Sequence, residues 1–223
     1  MISFLISAIK IIFLLGFLIA IHETGHFLIA KLCKVRVNEF AIGFGPVIWK
    51  KQGKETKYEL RLIPLGGFVN MEGEAEQSEK EGSFTKASIP RRIAIVAAGA
   101  LVNIIFAIIV YFILAMTIRG NITNAVVGNR VLDADNFGNR LYFASYNTKE
   151  FMLSIAESVK QLFTGKVSSA ELVGPVGISE VVAKTNGFRE FIYILSAISI
   201  SLGVTNLLPF PPLDGGKIVL ILL

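Results

Sequence analysis

The chain contains two histidines, His22 and His26, with Glu23 directly after the first. On an α-helix, residues i and i+4 share a face, so imidazoles at this spacing reach a single metal ion. A glutamate beside them is placed to take a proton from a water that the metal activates, which is the chemistry of hydrolytic zinc sites. Two histidines scattered at random, with a glutamate after the first, give this pattern roughly once in two thousand sequences of this composition. The competing reading is an inert pair at a helix end. Against it, His and Glu inside an apolar run are costly unless they do something.

A catalytic zinc needs a third protein ligand and an open fourth position. No histidine remains to supply it. Cys33 lies two helical turns beyond His26, but a lone cysteine is more often a small buried apolar residue. Among the carboxylates Asp214 stands out, in the segment Asn206-Leu-Leu-Pro209-Phe-Pro211-Pro212-Leu-Asp214-Gly215-Gly216. It ends an apolar stretch, and an aspartate at membrane depth needs a partner such as a cation. The prolines and glycines break the helix there, which is tolerated where the backbone lines a cavity. The alternative is a helix-terminating loop with Asp214 as a cap.

The elements that must position these residues belong to a membrane protein. Of 223 residues, 53% are hydrophobic and 17% charged, and the mean hydropathy is +0.63. Soluble domains carry nearer about 25% charged residues. One cysteine excludes a disulfide framework and a Cys-rich metal cluster. The net charge of +5 reflects basic residues flanking apolar segments, where they set membrane orientation, and not nucleic-acid binding. The apolar run over 2–30 is too long for a signal peptide and leads into the histidines without a cleavage site, so it reads as a retained membrane helix. Residues 93–118 exceed the ~20 apolar residues that span a bilayer, with Asn103 the one strongly polar interruption. Residues 191–208 form a third candidate, rich in Ser and Thr, which suits a helix packed on protein. Residues 218–223 begin a partial fourth.

The expected fold class is therefore membrane α-helical, with about three transmembrane helices, a partial fourth, and a membrane-associated β-hairpin or sheet after the first helix. The organisation divides into 1–118, 119–189 and 190–223. The hairpin is read from Tyr58, Leu60 and Leu62 alternating with charged residues, and from the glycine-containing apolar stretch Phe40 to Trp49. Residues 72–82 are acidic and polar, and read as a solvated, mobile loop. Residues 119–149 show no clear period, whereas Phe151, Ile155, Val159 and Leu162 mark an amphipathic helix over 150–164. The loop 31–92 holds 12 Lys and Arg against 8 in 119–189. That bias puts 31–92 in the cytoplasm and the N-terminus outside.

Taken together, His22-Glu23-x-x-His26 in a first membrane helix and Asn-x-x-Pro-x-Pro-x-Leu-Asp-Gly in a later one resemble the site-2 protease family of intramembrane zinc metalloproteases, in its bacterial RseP-like subgroup. Gly43-Phe44-Gly45-Pro46 is similar to that family's membrane-reentrant β-hairpin, and Pro64 to Val69 to the segment after it. Pro90-Arg91-Arg92 and Gly174 to Ile178 are similar to the leads into the second and third membrane helices. Three departures stand out, the first being that the family's last membrane helix is expected to be absent beyond its first residues. Residues 119–149 are too few for the PDZ domain such proteins carry there, and Ala100 occupies the usual proline position between Gly99 and Asn103.

The resemblance implies that His22, His26 and Asp214 hold Zn²⁺ and that Glu23 is the catalytic base. Asn206, Gly43, Gly45, Pro209 and Pro211 would contact substrate. The expected partners are transmembrane protein substrates and the lipid bilayer. The expected activity is regulated intramembrane proteolysis, for example of an anti-sigma factor or a remnant signal peptide, in the bacterial inner membrane with the active site toward the cytoplasm. A transmembrane helix hides its scissile bonds behind its own hydrogen bonds, so a substrate must unwind, and a strand edge could accept the extended segment. The Phe40–Val69 region is the candidate, with 40–45 as the pairing edge. The alternative function is a non-proteolytic membrane metal-binding or transport protein. A transporter would show polar residues along a path, and here they converge on one site.

Overall fold

The computed structural model describes residues 2–76, 78–117, 125–127, 130–164 and 175–223. In chain order it contains α1 (Ile2–Leu32), β1 (Val37–Gln52), β2 (Lys57–Met71), α2 (Ile89–Met116), β3 (Ala125–Val127), β4 (Arg130–Leu132), α3 (Phe137–Phe163), α4 (Pro175–Ala183), α5 (Phe188–Asn206) and α6 (Asp214–Leu222). Three segments, Leu5–Leu32, Ile89–Met116 and Phe188–Asn206, are helices long and apolar enough to cross a membrane. The last helix, α6, covers the nine residues Asp214–Leu222. The chain forms two compact units, Met1–Ile104 with Leu202–Leu223, and Ile105–Ser201.

In the first unit small residues let the helices approach closely. A Cβ added at Gly25 of α1 would stand 2.7 Å from the Ala98 carbonyl oxygen of α2, and one at Gly203 of α5 would stand 2.6 Å from that of Ala100. Such small-residue crossings bring helices together where no hydrophobic force acts between them. Below the crossing, Ala30, Val35, Val37, Met71, Phe84, Ile95 and Val96 form the apolar core. Leu5, Ile9, Phe13 and Phe17 of α1 are exposed, as lipid-facing side chains are.

The two long strands fold into a sheet of four segments. Residues 39–42 of β1 pair antiparallel with 67–70 of β2 on one side and, in a register that rises on both segments and so runs parallel, with 57–60 on the other, and 47–52 pair back antiparallel onto 57–61. The spatial order is thus 67–71, 39–42, 57–60, 47–52. The strand bends at Gly43 and Gly45, at φ 92° and 81°, values that only glycine adopts without strain. Because 39–42 is covered on both sides, it offers no edge for a further strand, contrary to the expectation for 40–45. Among the described residues the edge left open beside α1 is that of 67–71.

The sheet packs on α1 through Phe27, Phe40 and Tyr58, whose ring centroids lie 5.1 to 6.3 Å apart. Its far end reaches Gly16, where an added Cβ would meet the Pro64 carbonyl oxygen at 2.6 Å. From Leu32 to Gly16 is roughly 24 Å along the helix axis, most of a ~30 Å hydrocarbon core. Phe44, Val47, Ile48, Trp49, Leu62 and Ile63 are exposed on this end. These apolar side chains face outward, as those of a hairpin re-entering a bilayer do.

The polar face of the sheet is held by charge. Glu59 is buried between Lys57 and Arg61, with Arg61 Nη2 at 2.8 Å, and these hydrogen bonds hold its carboxyl at about 2. The described residues of 72–82 form a largely exposed loop, as expected, and it is anchored at Glu72. Glu72 accepts hydrogen bonds from Asn38 Nδ2 at 2.9 Å and Ser78 Oγ at 2.7 Å, and pairs with Lys80. Those contacts hold its carboxyl at about 2. The main chain is tied as well, with Phe84 N–H donating to the Glu72 carbonyl and Arg36 N–H to that of Gly82. Composition marked the segment as polar, and one half-buried acceptor, Glu72, anchors it.

The second unit holds α3 and the short hairpin of β3 and β4. The helix expected over 150–164 runs over Phe137–Phe163. Its first half buries Ala144 and Thr148, in register with Phe151 and Ile155, and Tyr111 of α2 stacks on Phe151 at 4.3 Å. Asn, Gly and Ser in that half have low helix propensity and masked the period.

Candidate active site

Helix α1 carries His22 and His26 on one face, as the i,i+4 spacing demands, with their Nε2 atoms 3.1 Å apart and their rings nearly perpendicular. Asp214 arrives from α6. Its Oδ2 lies 3.0 Å from His22 Nε2 and 3.3 Å from His26 Nε2. Atoms bound to one tetrahedral zinc at about 2.0–2.1 Å lie roughly 3.3 Å from one another. The triangle of 3.0, 3.1 and 3.3 Å therefore has the size of one face of such a site, and two imidazoles with one carboxylate are a donor set zinc accepts. Among the described residues this is the one group of three or more His, Cys, Asp or Glu side chains whose ligand atoms converge. Cys33 is not in it and packs against the apolar core.

His26 and Asp214 are oriented by their surroundings. The His26 Nδ1–H donates to the Ile95 carbonyl oxygen at 2.8 Å. A carbonyl can only accept, so the proton sits on Nδ1 and the Nε2 lone pair faces the triangle. Asp214 is the first residue of α6, where the helix N-terminus favours a carboxylate. The preceding turn folds back over the start of α6. A Cβ on Gly215 would stand 2.3 Å from the carbonyl oxygens of Leu207 and Leu208, and one on Gly216 2.7 Å from the Phe210 carbonyl carbon. The two glycines after Asp214 are what allow this fold-back.

Two other glycines frame the site and were not singled out by spacing. Gly99 of α2 lies flat against both rings, so that an added Cβ would stand 2.4 Å from His26 Nε2 and 2.8 Å from His22 Nε2. Gly67 of β2 lies beside Glu23, whose Cγ an added Cβ would meet at 2.8 Å. The Gly-Ala context of residues 97–100 hints at close helix packing, but only the fold shows what passes there. Lys217 and Glu74 also border the cleft and pair with each other at 3.2 Å.

The cleft has a volume of about 180 Å³ and is lined by His22, His26, Asp214, Glu23 and residues of the 67–71 edge. Glu23 thus shares one small cavity with the triangle, at the open strand edge. A larger cavity of about 490 Å³ lies in the second unit around Tyr111, Phe143 and Arg189, and no cluster of ligand groups accompanies it. The other expected substrate contacts lie outside the cleft lining. Asn206 ends α5, Pro209 and Pro211 are exposed in the turn before Asp214, and Gly43 and Gly45 shape the hairpin bend.

Comparison with known proteins places the chain among metalloproteases. A Fusobacterium nucleatum protein provisionally named a zinc metalloprotease is 30% identical over 99% of this chain and 88% of its own length. One from Clostridium acetobutylicum, named in the same way, is 31% identical over 93% and 84%. The regulator of sigma-E protease RseP of Escherichia coli is 43% identical over 51% of this chain and 26% of its own length. Residues 10–223 match peptidase family M50, and the chain belongs to that family.

Proposed function

We propose that His22, His26 and Asp214 hold the zinc ion, that Glu23 is the base, and that the chain hydrolyses peptide bonds in transmembrane segments of other membrane proteins. It is a zinc metalloprotease and a multi-pass protein of the bacterial inner membrane. The observation that carries the site assignment is the convergence of three ligand atoms within 3.3 Å of one another in the cavity that Glu23 lines. Zinc in this position would supply a Lewis acid for the scissile carbonyl and for the attacking water. Glu23 takes a proton from that water on its carboxylate and returns it to the departing amide nitrogen. The His26 ring is held by Ile95, and the fold-back at Gly215 and Gly216 fixes Asp214, so the ligands are set before substrate arrives.

The substrate enters as an extended strand. The open edge of 67–71 runs along the cleft beside Glu23, and an unwound segment paired to it by main-chain hydrogen bonds lies with its backbone at the catalytic groups. The histidines sit roughly 9–15 Å along α1 from its Leu32 end, so the cut falls inside the membrane. The basic residues after Leu32 place that end in the cytoplasm. The site therefore opens toward the cytoplasm and the N-terminus lies outside. The alignment with the Fusobacterium protein spans 303 positions although this chain has 223 residues. The relative therefore carries segments without a counterpart here, which supports an organisation of 1–118, 119–189 and 190–223 without a PDZ module.

The test compares wild type with Glu23→Gln, purified in detergent and reconstituted with a model transmembrane substrate, with zinc measured by elemental analysis. Wild type should bind one zinc and cleave. Glu23→Gln should bind one zinc and lose cleavage by at least ~10²-fold, the scale of lost general-base catalysis. Equal cleavage by both removes Glu23 from the reaction.

A further inference from the structure

One buried polar group near the metal ligands is not used by this mechanism. Asn103 of α2 is fully buried, at 0% exposure, in an otherwise apolar membrane-spanning run. A carboxamide there is costly unless a polar neighbour answers it. The neighbour is His22, whose Nδ1 lies 3.5 Å from the Asn103 side-chain nitrogen. The far nitrogen of the same ring, Nε2, is the atom 3.0 Å from Asp214 and 3.1 Å from His26 Nε2.

The chemistry of a neutral imidazole decides what this contact must be when the centre is loaded. A ring that ligates through Nε2 carries its proton on Nδ1, and that N–H needs an acceptor. His26 has one in the Ile95 carbonyl. His22 has no main-chain carbonyl in that role among its described hydrogen bonds, and Asn103 is the group that faces its Nδ1. A carboxamide presents either its nitrogen or its oxygen from nearly the same volume, by a half-turn about its last bond.

We infer that Asn103 is a positioning residue of the metal centre, its side-chain oxygen accepting the His22 Nδ1–H and so aiming the His22 Nε2 lone pair between His26 and Asp214. The inference rests on the metal site proposed above. It makes the two histidines unequal. His26 is fixed by a main-chain carbonyl that no substitution removes, whereas His22 depends on one side chain from another helix. Register between α1 and α2 then controls the ligand set, because a slide of one helix along the other parts Asn103 from His22.

The test measures zinc affinity by competition with a chromophoric chelator for wild type, Asn103→Leu and Asn103→Asp, each checked metal-free by circular dichroism and melting temperature. Leu matches the volume and cannot accept, so its zinc dissociation constant should rise 10–100-fold, the range for lost partners of metal ligands. Asp keeps an acceptor oxygen and should bind within about threefold of wild type or more tightly, as carboxylate–histidine pairs do. Zinc binding by Asn103→Leu equal to wild type, or equal weakening in both variants, overturns the inference. Should Leu disturb folding, ¹⁵N-histidine NMR of zinc-loaded wild type decides. A His22 proton on Nδ1 upholds the inference, and a proton on Nε2 overturns it. A wild type that binds no zinc refutes the metal centre itself, a result distinct from either.

Discussion

Replacing Gly99 by alanine tests the site through one methyl group. The added carbon would stand 2.4 Å from His26 Nε2 and 2.8 Å from His22 Nε2, where nonbonded carbon atoms pack comfortably at about 3.5–4.0 Å. Something must therefore move by about 1 Å. The backbones cannot part easily, because Gly25 of α1 is pressed against Ala98 and Gly99 of α2. The rings can swing, but that carries Nε2 out of the triangle with Asp214 and breaks the His26 hydrogen bond to Ile95. A misplacement of about 1 Å costs on the order of 10²-fold in a positioned site. Gly99→Ala should then bind zinc at least ~100-fold more weakly and lose cleavage in proportion. Gly203→Ala is the control, since its Cβ meets the Ala100 carbonyl oxygen at 2.6 Å and touches no ligand. It should lose stability by about 1–3 kcal/mol from overpacking and keep its zinc. Chelator competition and thermal melts of both variants decide. Gly99→Ala with wild-type zinc affinity would refute the reasoning.

Two further outcomes follow from the sheet. Of two successive strand residues, one directs its N–H to each edge, so proline at Phe68 and at Val69 separates substrate pairing from folding. The outward-donating position should slow cleavage by tenfold or more with zinc retained and the other should lower melting temperature; two variants that cleave like wild type would exclude the 67–71 edge. Glu59 and Glu72, both held at about 2, stabilise the fold above the unfolded carboxyl value of about 4.3. That stability is lost as pH falls through about 2. Melting temperature should therefore drop between about pH 4.3 and 2, and Glu72→Gln should flatten the drop; an unchanged slope in that variant would remove Glu72 as a source.

The three side chains that converge, and Glu23 beside them, were legible in the sequence because these residues are wrong for their surroundings. His22, Glu23, His26 and Asp214 are polar groups in apolar stretches, and helical spacing places the first three without tertiary information. The helices were legible from run length alone, and α1, α2 and α5 lie where the apolar stretches are. What joins those elements was not. Alternation at Tyr58, Leu60 and Leu62 marks a strand, but the double pairing of 39–42 depends on the bend at Gly43 and Gly45, so the open edge moved to 67–71. Gly99 is silent in sequence, since what it accommodates comes from a helix some 70 residues away. The first half of α3 was hidden by poor helix formers that tertiary packing overrides. The loop 72–82 is exposed as its composition suggests, but that Glu72 anchors it was not legible, because Glu72 is one acidic residue among several.

The central claim is that this site cuts a peptide bond within the bilayer. The most direct measurement is mass-spectrometric mapping of the products when the reconstituted protein acts on a model transmembrane substrate. A new terminus is expected inside the apolar span, toward its cytoplasmic half, in step with the depth of His22 and His26 on α1. Cleavage only in a water-exposed loop, or intact substrate in the presence of a fully zinc-loaded wild type, would contradict it.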